Sequence, residues 1–248
     1  MQKNVVSLHT VKRLLCIFSL IAVALFCRAQ VGEYRKDLAV GFGGGYVLNR
    51  VSFNPTIRQS WHGGAQFGAT VRYTCEKYYG IICAIQAELN FAQLGWKEKI
   101  ETSSDTYSRT VNYFQIPFFA RIGFGRERKG VQGYIVLGPQ IAFCLGDSEE
   151  RGGEWSEETL AKRPNNVVEQ YDLPIQKKFE YGICGGLGFE VSNPKVGHFQ
   201  IEGRYYFGLS SIMNDSKADK FTRSANGAII ARVSWLYDVV KTKNPKIR

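Results

Sequence analysis

The sequence has no apolar run of the roughly 20 residues that a membrane-spanning helix needs. Its longest, Leu14 to Phe26, is about 13 residues long, which excludes a polytopic helical membrane protein. Histidine is scarce, with three in 248 residues, so acid–base chemistry lacks its commonest side chain. The 26 glycines show no three-residue period, which excludes a collagen-like chain. Charged residues make up 22% against 44% hydrophobic and 13% aromatic; with that much apolar side chain to bury, a disordered chain is excluded. No clustered basic stripe accompanies the formal charge of +10, which argues against a nucleic-acid partner.

What is present begins with an export signal. Lys3, Lys12 and Arg13 precede the short apolar run, and Cys27-Arg28-Ala29 follows it with small residues at the two positions a signal peptidase reads. Residues 1–29 are expected to be a cleaved signal peptide, with Gln30 the first mature residue. Their removal takes away four basic residues and leaves 28 basic against 22 acidic. It also leaves only His62 and His198, and four cysteines, Cys75, Cys83, Cys144 and Cys184.

The mature part alternates with period two in eight segments, at 38–46, 65–74, 81–91, 113–122, 134–143, 179–190, 199–210 and 225–237. Each is about as long as a tilted strand crossing a bilayer, for which 9 to 11 residues suffice, and about twice the usual strand of a soluble domain. The links after the second, fourth and sixth segments are short and the others longer, the asymmetry of an outer-membrane barrel with its termini in the periplasm. A soluble sandwich or lipocalin-like barrel shares the strand count and alternation. The polar faces separate the two readings, because they hold Arg72, Arg121, Arg204 and Arg232 against Glu88, Glu180, Glu190 and Glu202. Four charges of each sign would compensate one another in a lumen, while the apolar faces are nearly free of charge, as a lipid-facing surface must be. The predicted fold is all-β: an eight-stranded antiparallel transmembrane β-barrel over 30–240, with a basic periplasmic tail at 241–248. Those eight charged residues are expected to point inward and pair. Inward glycines at 41, 43, 182, 186 and 188 are expected to be filled by long neighbouring side chains.

Several segments together resemble a known family. They are the glycine-rich first strand, Phe114-Gln115-Ile116-Pro117-Phe118-Phe119-Ala120, Leu137-Gly138-Pro139, Tyr181-Gly182-Ile183-Cys184-Gly185-Gly186-Leu187-Gly188-Phe189 and Arg204-Tyr205-Tyr206-Phe207-Gly208-Leu209. Their order and spacing across 36–238 resemble the PorT-type outer-membrane β-barrel family. The resemblance implies an eight-stranded barrel in the outer membrane of Bacteroidetes-type bacteria. From the member that names the family, it also implies a part in protein secretion.

Residues that could carry chemistry are few. Ser60 and His62 sit together in the first outer loop, where a barrel enzyme acting on lipid A would work, but no acid at a recognisable spacing completes them. His198, at the periplasmic start of a strand, reads as solvated or interfacial. The acidic residues Asp147, Glu149, Glu150, Glu154, Glu157 and Glu158 have no calcium-loop spacing and read as a solvated loop, in which Ser156 could cap a short helix. Cys75 and Cys83 flank the first periplasmic turn and could form a disulfide, whereas Cys144 and Cys184 read as free thiols. Tyr73, Tyr78, Tyr79, Trp96, Tyr113, Tyr171, Tyr205, Trp235 and Tyr237 are candidates for an interfacial girdle. No cofactor or metal is expected. The expected function is non-enzymatic, a binding or envelope and secretion-accessory role through loops or rim. The expected partners are outer-membrane lipid and envelope or secretion proteins. A lipid-modifying enzyme at the outer rim and a narrow channel are the alternatives.

Overall fold

The computed structural model describes residues 33–163, 168–171, 173–216 and 219–242. The signal peptide and most of the basic tail lie outside them. Among the described residues, eight long strands follow the eight alternating segments: β1 (Glu33–Asn54), β3 (His62–Tyr78), β4 (Ile81–Glu98), β5 (Thr106–Gly125), β6 (Gly130–Gly152), β7 (Phe179–Asn193), β8 (Gly197–Gly208) and β9 (Arg223–Val240). A two-residue strand, β2 (Gln59–Ser60), pairs with the far end of β4. Every long strand is antiparallel to its neighbours in sequence, and β1 also pairs with β9 from Leu38↔Val240 to Asn54↔Arg223. The sheet therefore closes into a ring of eight. No described helix is long and apolar enough to cross a membrane.

Side chains alternate across the wall as the pleat requires. Phe67, Val71, Leu89, Phe118, Ile122, Leu137, Leu187, Ile201 and Val233 are exposed on the outer surface, while Gln66, Gln86, Glu88, Gln115, Arg121, Gln140, Glu190, Glu202 and Arg232 are buried inside. An outer surface of exposed apolar side chains around a polar interior is the reverse of a soluble barrel and suits hydrocarbon.

The short connections are Tyr79–Gly80, residues 126–129 and residues 194–196, all at the end where the chain enters and leaves the ring. Gly125 and Gly130, with φ of 129° and 128°, bracket the second of these, and a side chain at either would be strained. At the other end the strands run beyond their apolar rows. β5 and β6 pair as far as Thr106↔Gly152, well past the alternation that identified them. The link after β6 holds α1 (Glu157–Ala161), N-capped by Ser156, whose side chain accepts from the Thr159 N–H, and a 3₁₀ turn at Glu169–Tyr171.

The inward glycines on β7 are filled from the neighbouring strands. A Cβ at Gly188 would lie 2.4 Å from the Tyr134 ring, at Gly186 2.8 Å from the Arg204 side chain, and at Gly182 2.7 Å from the Tyr206 ring. Carbonyl oxygens come closer still, Phe207 at 2.3 Å from a Cβ at Gly182 and Gly203 at 2.4 Å at Gly186, and at Gly41 the nearest atoms are all backbone, the Trp235 oxygen at 2.0 Å. Backbone rather than side chain occupies the space beside Gly41.

Two sequence expectations change. Trp96, Tyr113 and Tyr171 are not girdle residues but buried. Trp96 and Tyr113 fall on the lumen phase of β4 and β5, and Tyr171 lies in a connection folded over the barrel end. Tyr73, Tyr79, Tyr205 and Tyr237 are exposed outside. Cys75 and Cys83 are free thiols, as are Cys144 and Cys184. A bulge between Thr74 and Glu76 sets Glu76 opposite Cys83 and leaves Cys75 without a facing residue, so the pair does not meet as a disulfide requires. Denatured, unreduced protein lacking residues 1–29 should titrate four thiols and run identically with and without reductant. A titre of two, with a reductant-dependent shift, would contradict this arrangement.

Candidate functional site

The lumen is built from the polar residues of alternating phase, and its charges form two clusters. At mid-barrel, Arg204 on β8 donates to both oxygens of Glu88 on β4, at 2.9 and 2.7 Å, and to Glu202 at 2.9 and 2.8 Å. Gln86 and Asn90 donate to the same Glu88 carboxylate at 2.7 and 2.9 Å. Arg232 lies 3.8 Å from Glu88 and donates to Asn90 at 2.9 Å. Nearer the short turns, Glu190 on β7 pairs with Arg72 and, at 2.6 Å, with Arg121. It also accepts from Gln200 at 2.7 Å and Ser192 at 3.0 Å. Arg121 stacks 3.5 Å above the Tyr134 ring centroid, and Arg204 4.6 Å above that of Phe119.

All eight residues of the expected network are buried in the lumen. Seven make ion pairs. Glu180 does not; it accepts from Asn226 at 2.7 Å and Tyr206 at 2.9 Å, so neutral donors rather than an arginine satisfy it.

The long-loop end is closed. Phe53 packs on Trp96 and Phe221 with ring centroids 5.2 Å apart in each pair. Tyr171 packs on Tyr107 at 4.8 Å and on Trp155 at 4.9 Å. Ile212 and Met213, from the β8–β9 connection, are buried in the same cluster. Asp105 ties the β4–β5 and β6–β7 connections together. Its carboxylate accepts from the N–H groups of Glu154 and Trp155 at 3.0 and 3.2 Å, from Ser103 at 2.9 Å and from Arg163 at 2.8 Å. Burial alone would raise this carboxyl, but the hydrogen bonds from Ser103, Trp155, Thr159 and Arg163 outweigh it and hold it well below the usual range. Two acidic residues expected in a solvated loop also belong here. Asp147 and Glu149 extend β6 and pair with the buried Arg109 at 2.6 and 3.0 Å.

The opposite end is hollow. A cavity of about 380 Å³ opens among the short turns and is lined by Arg72, Arg121, Gln132, Glu190 and His198 within and Glu127, Arg128 and Asp238 at the rim. Burial raises the Glu127 carboxyl in its turn, against the opposing pull of Arg35.

The two histidines depart from expectation. His62 is buried, and its Nε2 lies 3.1 Å from the Thr110 hydroxyl; Ser60 instead takes its place opposite Lys97 in β2. The Ser60–His62 pair that an outer-rim enzyme would use is therefore not assembled. His198 is buried rather than solvated. Its Nδ1 is 2.8 Å from Glu190 and its Nε2 2.8 Å from Asp238, with the Ser192 hydroxyl also 2.8 Å from Nδ1. With a carboxylate on each ring nitrogen, the imidazole joins β7, β8 and β9. Sequence spacing hid this because Asp238 is 40 residues away. The signal is the register: Leu236 faces His198, and Asp238 follows two residues later on the same face.

A family match decides what kind of barrel this is: the outer membrane protein beta-barrel domain matches residues 28–214. The chain belongs to that family. It is a protein of the bacterial outer membrane. No curated relative matches by sequence. Similar solved structures include Ail of Yersinia pestis, in complex with the heparin analogue sucrose octasulfate, at 12% identity and TM-score 0.35, over 82% of this chain and 99% of that one. OprG from Pseudomonas aeruginosa is 12% identical at TM-score 0.39, over 83% and 98%. Neisserial surface protein A is 12% identical at 0.38, over 80% and 96%. Such distances carry no argument about activity.

Two predictions follow from the charge arrangement. Glu88→Ala strands Arg204 and Arg232 beside one remaining carboxylate, and a broken buried pair costs about 3 to 5 kcal/mol. Glu180→Gln removes no ion pair and should cost far less. Heat-dependent gel mobility of the refolded barrels compares the two directly, and equal midpoints would contradict the network. Asp105 sets an acid limit on the closed end. Its carboxyl is held below the ordinary value of about 3.8, so its stabilising effect is complete above that pH and is lost as pH falls through the lowered value. Trp155 fluorescence or protease access to residues 153–163 should change as pH drops below about 3.8. That step should be missing in Asp105→Asn, whose closed end is already loosened at neutral pH.

Proposed function

We propose that this protein is a non-enzymatic barrel that binds a partner through its closed extracellular end, in an envelope or secretion-accessory role of the kind the PorT-type resemblance implies. The observation that carries this reading is the packed cap over the lumen. Connections from β4–β5, β6–β7 and β8–β9 share one hydrophobic cluster, and the buried Asp105–Arg163 pair joins the first two. Loops ordered before a partner arrives lose less entropy on binding. A channel has little support, because the cap lies above a mid-barrel network that fills an eight-stranded lumen. An enzyme has little more. The His62 ring hydrogen-bonds a threonine hydroxyl rather than a carboxylate, and the Ser192 hydroxyl near His198 also donates to Glu190. No cofactor, metal or nucleic acid enters this reading.

The test uses protein purified from outer membranes. Cross-linking and pull-down should capture one defined envelope partner with the wild type and lose it with Asp105→Ala, whose barrel retains its heat-dependent mobility. Bilayer conductance should show no steps, and lipid A acyl patterns should not change on expression. Capture indifferent to the cap variant, reproducible conductance, or an altered acyl pattern would each overturn the reading.

A further inference from the structure

A second concavity lies in the barrel wall near its long-loop end, where exposed Arg50, Tyr205 and Phe207 adjoin the buried Val51 and Asn226. It is a groove of about 370 Å³ across β1, β9 and β8, roofed by the β1–β3 connection. Its floor is one register row, Arg50 opposite Gly227 and Gly227 opposite Phe207. One row lower, Leu48 faces Ile229 and Ile229 faces Tyr205, with Ile229 and Tyr205 exposed to the lipid side. The groove therefore borders the apolar wall, whose exposed Tyr205 and Phe207 rings line it.

Its chemistry has one sign. Arg50 and Arg223 line it, and no acidic side chain does. The two guanidiniums rest on aromatic rings, Arg50 4.1 Å above the Trp61 centroid and Arg223 5.7 Å above that of Phe207. Neither has a carboxylate partner among the described residues. The lumen arginines are neutralised by carboxylates, whereas among the described residues these two exposed ones are not. An arginine stacked on a ring keeps its in-plane N–H groups free for an anion, and its planar fork fits phosphate. Gly227 supplies the space. It faces outward, and an added Cβ would meet only the Tyr205 hydroxyl, at 3.3 Å, and the Arg50 carbonyl, at 3.8 Å.

We propose that Arg50, Arg223 and Trp61 hold the phosphate of an outer-leaflet lipid headgroup in the hollow above Gly227, with the acyl chains lying along the apolar wall below. The continuity of the groove with that wall favours a lipid over a soluble anion. The two positive charges favour a phosphomonoester, as on lipid A.

The probe is lipid A with and without its phosphates, added to the purified protein in mild detergent and read by native mass spectrometry. Wild-type protein should retain phosphorylated lipid A at least tenfold better than dephosphorylated lipid A. Arg50→Gln combined with Arg223→Gln should erase that preference, and so should Gly227→Leu, which fills the hollow without entering backbone. Arg58→Gln, an exposed arginine outside the groove, should leave it intact. Heat-dependent mobility reports that each variant is folded. Equal retention of the two lipids by wild type, or unchanged preference in the folded groove variants, would overturn the proposal. Displacement of the lipid by inorganic phosphate alone would reassign the groove to a soluble anion.

Discussion

Hydrocarbon offers no water to a peptide group, so a chain that crosses it as strands must find every backbone partner within itself. The pairing of β1 with β9 meets that demand, because it leaves no long strand with an open edge. The other features depend on it. A ring of eight encloses a lumen only wide enough for side chains. Alternation then sends every second residue into that space, where a charge must find a counter-charge or, as Glu180 does, neutral hydrogen-bond donors. Arg204 between Glu88 and Glu202, and Glu190 between Arg72 and Arg121, are consequences of closure as much as contributors to stability.

Charge is treated differently at three levels of the molecule. In the lumen it is paired across the ring, by residues far apart in sequence. In the cap it is paired between connections, with Asp105 and Arg163 fixing loops that have no sheet to order them. On the outer edge, at Arg50 and Arg223, it is left without an acidic partner. The first two arrangements hold the molecule together and the third leaves charge for the surroundings.

Much of this was legible in the sequence. Strand positions and faces followed from alternation, since outward residues such as Phe118 and Ile201 are apolar only because lipid is there. Beyond the hydrocarbon that requirement lapses. The far end of β6, through Asp147 and Glu149, therefore looks like an acidic loop although it is strand. Inward direction was legible for the eight charged residues from their balance. Their partners were not, because Arg204 meets Glu88 across the lumen rather than along a strand. The same limit hid the carboxylates beside His198. The bulge at Cys75 is a slip of one residue that no local pattern marks, and the neutral setting of Glu180 depends on Asn226 and Tyr206 arriving from two other strands.

The seam between β1 and β9 also has a kinetic meaning. Leu38 and Val240 face each other although about two hundred residues separate them, so the contact that seals the ring is the most distant in sequence. Pairings of that kind are slow to form, because the chain between them must be ordered first. The other long strands can zip as hairpins from their turns, while β1 must wait with one edge bare until the end of the chain is delivered. During that interval the molecule is a curved open sheet with a ready strand edge, the form most prone to pair with another chain. Sealing the ring quickly after synthesis is thus a demand this topology places on whatever escorts the chain to its membrane.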